Sequence, residues 1–184
     1  AITVCPNCFF AAFPQDFSNP PEKNKSALAE LADQRKEILT PIFPELDFTQ
    51  PRTLKEGVAS YALAVFCYDS FLKDASPTIK QGICCLRAAW CCNDLHRKLP
   101  NENYDYLALN FYRKARFFYL LAVEREQTGV EPMSGMKILG PDIDKDYGYD
   151  GVLYLNGLLD LLYGPREDKE KRIKDLSNAK RYVA

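Results

Sequence analysis

Histidine is almost missing from this chain of 184 residues: His96 is its only one. The common catalytic signatures are missing with it. There is no nucleophile elbow, no Walker A loop and no Rossmann fingerprint. His96 falls in HRKL, at the expected end of a helix beside Arg97 and Lys98, where it reads as a surface cap rather than a base. The sequence therefore points away from an enzyme.

Excess charge of either sign is also lacking. The formal net charge is −1, whereas nucleic-acid binders carry a basic patch or stripe. Nucleic acid and anionic membrane surfaces are thus poor expectations. No apolar run approaches the roughly 20 residues that cross a bilayer as a helix. Twelve prolines and nine glycines punctuate the chain without gathering into a low-complexity linker. The seven cysteines lack the regular loop spacing of a secreted disulfide framework, and their number is odd. Cys67, Cys84, Cys85, Cys91 and Cys92 lie in apolar helical stretches, where free cysteine behaves as a small buried hydrophobe. The expected compartment is a reducing cytoplasm.

What the chain does have is helical periodicity, strongest in Gln81 to Val123. Two arms, GICCLRAAWCCNDLHRKL and YDYLALNFYRKARFFYLLAV, flank a polar turn at Pro100 to Glu102. Ala108, Tyr112 and Ala115 fall on one helical stripe, as do Cys85, Ala89 and Cys92, because side chains three and four apart are neighbours. Small residues on facing stripes let two backbones approach closely. Such a hairpin is one tetratricopeptide-like unit of about 34 residues. A helix from Asn24 or Ser26 to about Leu39 should place Leu28, Leu31, Arg35 and Ile38 on one face. Thr53, with Glu56 as its capping-box partner, opens another helix to about Lys73. Ile42, Phe43, Leu46 and Phe48 of the connector should lie against the bundle. A second hairpin runs from Tyr149 to Tyr163 and from Arg166 to Ala184, broken at Gly164-Pro165. Its last helix should carry Ile173, Leu176, Ala179 and Tyr182 or Val183 on the apolar stripe.

At the other end, Cys5-Pro6-Asn7-Cys8 leaves a short strand as a Cys-x-x-Cys knuckle. Two such thiols supply one edge of a tetrahedral zinc site, and a complete ribbon has two pairs. Cys5 and Cys8 are therefore expected to be half of a structural zinc site, with the partner pair upstream of Ala1. A redox pair or a plain turn are the other readings. The opening without methionine fits a fragment. Asp142, Asp144, Asp146 and Asp150 imitate a calcium loop, but Tyr147 replaces its glycine and Leu153 its closing glutamate. That loop is expected to cap a helix instead.

Together, VCPNCFFAAFPQDF, LRAAWCCNDL and ALNFYRKA resemble the bacterial family known as domain of unknown function 2225. The resemblance covers nearly the whole chain. It implies a cysteine-rich ribbon head joined to tetratricopeptide-like helices, with Cys5 and Cys8 as the later cysteine pair. The position after Cys8, commonly glycine in such knuckles, is Phe9.

The expected architecture is all-α: tetratricopeptide-like antiparallel hairpins in a short, right-handed solenoid, preceded by a strand and knuckle. Residues 1–22 would be the remnant of the ribbon head and loop, and 23–184 the helical domain. The expected function is a non-enzymatic scaffold that holds a protein or peptide, with Arg87, Trp90, Asn93 and Asp94 toward its groove. The competing reading is a zinc-ribbon protein associated with nucleic acid, whose helices serve assembly.

Overall fold

Eight α-helices and one two-stranded ribbon make up the described residues, 1–20, 25–141 and 145–183, of a computed structural model. Strands β1 (Thr3–Val4) and β2 (Ala11–Ala12) pair antiparallel, with Thr3 opposite Ala12 and Val4 opposite Ala11. The helices are α1 (Pro14–Ser18), α2 (Lys25–Glu30), α3 (Ala32–Leu39), α4 (Leu54–Tyr68), α5 (Pro77–Lys98), α6 (Tyr104–Gln127), α7 (Gly148–Tyr163) and α8 (Lys169–Val183). From α4 onward each packs mainly on its neighbours in the chain. The fold is all-α and built of helical hairpins. No helix among the described residues is long and apolar enough to cross a membrane.

The central hairpin is α5 and α6, and its small residues make the contact expected of them. Cys85, Ala89 and Cys92 on α5, and Ala108 and Ala115 on α6, are all buried. Tyr112 fills the gap beside them as a half-buried ring. α4 lies along α5 and starts in the capping box foreseen for Thr53: the Glu56 carboxylate accepts from the Thr53 amide at 3.0 Å. It ends at Tyr68 instead of reaching Lys73. The chain there tightens into 3₁₀-type turns, with Ser70 N donating to Cys67 O and Phe71 N to Tyr68 O, both at 3.1 Å.

The expected helix over residues 24–39 is two helices, α2 and α3, that meet at Leu31. Leu28 and Arg35 are buried, Leu31 is half-buried, and Ile38 is exposed while Leu39 takes its place in the core. Arg35 accounts for that rotation, because its Nε donates to the Cys8 carbonyl at 2.8 Å and turns α3 toward the knuckle. In the connector Phe43 is buried and Leu46 and Phe48 are half-buried, whereas Ile42 is exposed. On α8 Ala179 is buried, Leu176 is half-buried and Ile173 is exposed, so the packed stripe is narrower than its sequence period.

The knuckle does not stand apart from the helices. Ile2, Val4, Ala11 and Ala12 belong to the same apolar cluster as Val58, Ile83 and Tyr119. Asp16 on α1 ties this end down: its Oδ2 lies 2.7 Å from Lys80 Nζ on α5 and accepts from the Tyr68 hydroxyl at 2.7 Å. At the far end of α4, Ser76 takes the left-handed conformation at φ +50° just before Pro77. The 128–141 segment then returns to the start of α5. Glu131 accepts from Thr78 N and Thr78 Oγ1 at 2.7 Å each, and Arg125 Nη1 donates to it at 2.8 Å. Asp146 accepts from Gly148 N at 3.0 Å and caps α7, the role expected of its loop. The Asn24 cap, the expected domain boundary near residue 22, Asp142 and Asp144 lie outside the described residues, as do the side chains of Tyr182 and Val183.

Candidate functional site

The knuckle holds its thiols with backbone as well as side chain. Cys5 N donates to Phe10 O at 2.8 Å and Phe9 N to Cys5 O at 2.9 Å, closing the loop between β1 and β2. Phe9 sits at φ +57°, the left-handed conformation that costs a non-glycine residue about 1–2 kcal/mol. Its ring recovers part of that by packing edge-on against Phe48, with centroids 5.2 Å apart. A phenylalanine thus takes the backbone conformation that glycine commonly supplies after such a cysteine pair. The backbone N–H groups of Cys8 and then Asn7 hydrogen-bond the Cys5 sulfur and hold its thiol below the ordinary range, against a partial burial that pushes it up. Backbone donors aimed at sulfur favour thiolate, the form that ligates metal.

Arg35 completes this corner. It is 1% exposed, its Nε is spent on the Cys8 carbonyl, and Nη1 and Nη2 are buried with no hydrogen-bond partner. Its charge reaches both the Cys5 and the Cys67 thiols. Cys67 accepts from Ala11 N at 3.4 Å, and burial pushes its thiol up to about 11. Among the described residues no three or more Cys, His, Asp or Glu side chains converge on a metal-sized point. Cys5 and Cys8 alone offer one edge of a tetrahedron. The sequence marks Arg35 only as a member of a helix face. Nothing local to KSALAELADQRKEIL signals that it reaches the knuckle.

The four residues expected at the groove do not share one environment. Arg87 is 7% exposed, and its Nε donates to the Pro141 carbonyl, so it supports the loop ahead of α7 rather than facing a groove. Trp90 is 38% exposed on the outer side of α5. Asp94 lies one turn on and pairs with Arg97 at 3.0 Å. Asn93 is half-buried and donates from Nδ2 to the Tyr112 hydroxyl at 2.7 Å. Arg87 faces inward because α5 packs α4 on one side and α6 on the other, which leaves little of its middle exposed.

Tyr112 leads to a cleft that the sequence does not announce. Its ring stacks on Tyr163 at the end of α7, with centroids 4.3 Å apart and planes 5° from parallel. Burial pushes the Tyr112 phenol up to about 12, and its bond with Tyr163 adds to that. Tyr163 is part of the wall of a cleft of about 830 Å³ between α6 and the α7–α8 turn. Arg113, Arg116, Arg166 and Lys171 line it, against a single carboxylate from Glu167. Arg116 is neutralised from behind by Asp160 and by Asp175, the latter at 3.3 Å. Desolvation keeps Asp160 above its usual range, and the Arg116 guanidinium pulls the other way. Arg113 and Lys171 make no ion pair among the described residues, so the lining carries net positive charge. Such a cleft attracts carboxylates and other anions. Its cations come from α6 and from beyond the Gly164-Pro165 stop, too far apart in sequence to be read as a patch.

Comparison with known proteins gives the chain a family. The family model described as an uncharacterized protein conserved in bacteria, DUF2225, matches residues 1–182. The chain belongs to the DUF2225 family. A Borreliella burgdorferi protein described only as uncharacterized is 47% identical over 180 residues, which is 98% of this chain. The chain spans 64% of that relative's length. No solved structure matches. The cysteine knuckle and the basic cleft of this DUF2225 chain both lie inside the matched region.

Proposed function

We propose that this DUF2225 chain is a non-enzymatic, tetratricopeptide-like scaffold of the reducing cytoplasm, whose α6/α7–α8 cleft holds an acidic segment of a protein partner. One observation carries the reading: besides the already paired Arg116, three cations, Arg113, Arg166 and Lys171, line the cleft against the Glu167 carboxylate, although the whole chain has a net charge of −1. Positive charge concentrated in a concave site raises the local concentration of an anionic ligand. Tyr163 in the cleft wall is held in place by its stack on Tyr112, which in turn accepts from Asn93. Trp90, exposed on α5, extends the contact in this reading, whereas the Asp94 carboxylate, paired with Arg97, takes no part in holding an acidic segment.

We further propose that Cys5 and Cys8 supply one edge of a structural zinc site. The Cys5 sulfur receives backbone N–H groups, and Phe9 bears the cost of its left-handed conformation to keep the knuckle closed.

Fluorescence anisotropy with a labelled oligoglutamate peptide tests the cleft. The parent chain should bind it, more weakly as salt rises. Arg113→Ala with Lys171→Ala should weaken binding about tenfold, while Trp90→Ala reads how far the α5 face takes part. Equal binding by parent and double variant would remove the cleft from the function. Tighter binding of a single-stranded oligonucleotide than of the peptide would favour the nucleic-acid reading.

A further inference from the structure

Lys80 and Asp16 are paired without being saturated. Lys80 Nζ lies 2.7 Å from Asp16 Oδ2, and that same oxygen accepts from the Tyr68 hydroxyl at 2.7 Å. An ammonium has three N–H donors, and an ionised carboxylate has two acceptor oxygens. Among the described residues no second acceptor bonds Lys80 Nζ and no donor bonds Asp16 Oδ1, although the Lys80 side chain is only 4% exposed. Both residues line a pocket of about 280 Å³ between α1 and the 135–138 stretch. Phe13, Met136 and Ile138 give it apolar walls, and Lys137 adds a second cation, which makes no ion pair among the described residues.

The two walls are fixed by bonds of their own. On the α1 side Phe13 N donates to the Tyr68 hydroxyl oxygen at 2.9 Å. On the other side Gly135 N donates to Ser76 Oγ at 3.0 Å, and Gly135 lies so close to the Asp74 carbonyl that a Cβ has no room there. The pocket is therefore set by the fold and does not wait for a ligand to shape it.

We infer that this pocket binds a free amino acid with an apolar side chain. The charges select the class. A plain carboxylic acid would suit the two lysines but set a like charge against Asp16, and a plain amine would meet two ammoniums. A zwitterion answers both signs, its carboxylate toward Lys80 and Lys137 and its ammonium toward Asp16. Small-molecule sites join apolar walls to a few placed polar groups and usually enclose about 300–1,000 Å³. At about 280 Å³ this one is sized for a single amino acid. It shares no lining residue with the α6/α7–α8 cleft, so the two readings stand or fall separately.

The test is calorimetric titration of the full natural chain with L-leucine, L-methionine and L-phenylalanine. At least one should bind saturably. Its amide, and the matching carboxylic acid without the amino group, should each bind about tenfold more weakly, because each leaves a charged group of the pocket unanswered. Lys137→Ala, at an exposed position, should weaken binding about threefold, the worth of an exposed ion pair, with the melting temperature of the free protein unchanged. Methyl resonances need no variant: Met136 in the pocket wall should move further on binding than Met133 in the core. Absence of binding by all three amino acids would overturn the inference. A carboxylic acid that binds as tightly as its amino acid would overturn it as well, by reducing the site to one for anions. Unchanged affinity in Lys137→Ala, or a Met136 methyl that stays still on binding, would place the amino acid elsewhere and have the same result.

Discussion

Gly82 on α5 lies against the ring of Tyr119 on α6 so closely that a Cβ there would come within 2.9 Å of Tyr119 Cδ2. Tyr119 is fully buried and cannot swing away, because α5 and α6 enclose it. At this point the hairpin leaves no room for a side chain on α5.

That contact predicts opposite effects for one substitution at two helical glycines. Gly82→Ala gains up to about 1 kcal/mol of helix propensity but should lose about 1–3 kcal/mol to overpacking. Gly57→Ala on α4 meets only Cys91 Sγ at 3.8 Å and should stabilise by about 0.5–1 kcal/mol. Denaturant melts of the two variants should therefore shift in opposite directions.

Lys80 and Asp16 form a buried pair that fastens α1 to the bundle, with Tyr68 sharing the carboxylate. Asp16→Asn leaves the ammonium buried without its partner and should cost about 3–5 kcal/mol. Adding Lys80→Met should restore most of that loss. A double variant no better than Asp16→Asn would mean that the hydrogen bond to Tyr68, not the charge, holds α1.

Glu131 caps the first turn of α5 from 53 residues away in sequence. Glu131→Ala should destabilise by about 1–3 kcal/mol, since Thr78 N and Arg125 both lose a charged acceptor. Hydrogen exchange should speed up first at the Thr78 amide. Exchange unchanged there while the whole protein melts earlier would contradict the cap.

Cysteine reactivity should follow environment. Backbone donors lower the Cys5 thiol, while burial pushes Cys85 and Cys92 up to about 12. In metal-free, reduced protein the thiolate fraction near pH 8 is therefore larger at Cys5 than at Cys85 or Cys92, and lowering the pH should slow its labelling before unfolding begins. Mass spectrometry after brief alkylation should find Cys5 modified ahead of Cys67, Cys84, Cys85 and Cys92.

Much of the fold was legible because it is local. The Thr53–Glu56 capping box, the Ala108–Ala115 stripe and the Gly164-Pro165 stop each declare themselves within a few residues, and each stands where expected. The candidate sites were less legible because they are assembled across the chain. Arg87 has the composition of a recognition residue, yet its neighbours in space, Pro141 among them, make it a buried strut. Arg35 looks like one more charged residue of a solvated helix until Cys8 is placed beside it. Arg113 and Lys171 become neighbours only once α7 turns back on α6.

The remote cap on α5 also bears on how the chain is made. A ribosome releases Thr78 well before Glu131, so the central hairpin emerges with its leading end open and its first-turn donors on water. The antiparallel hairpin closes that gap itself, because it sets Arg125 beside Thr78 and leaves Glu131 only six residues further on. Synthesis thus delivers a hairpin first and its lock later, and the short stretch after α6 that carries Glu131 is the latch that turns a nascent helix pair into a finished one.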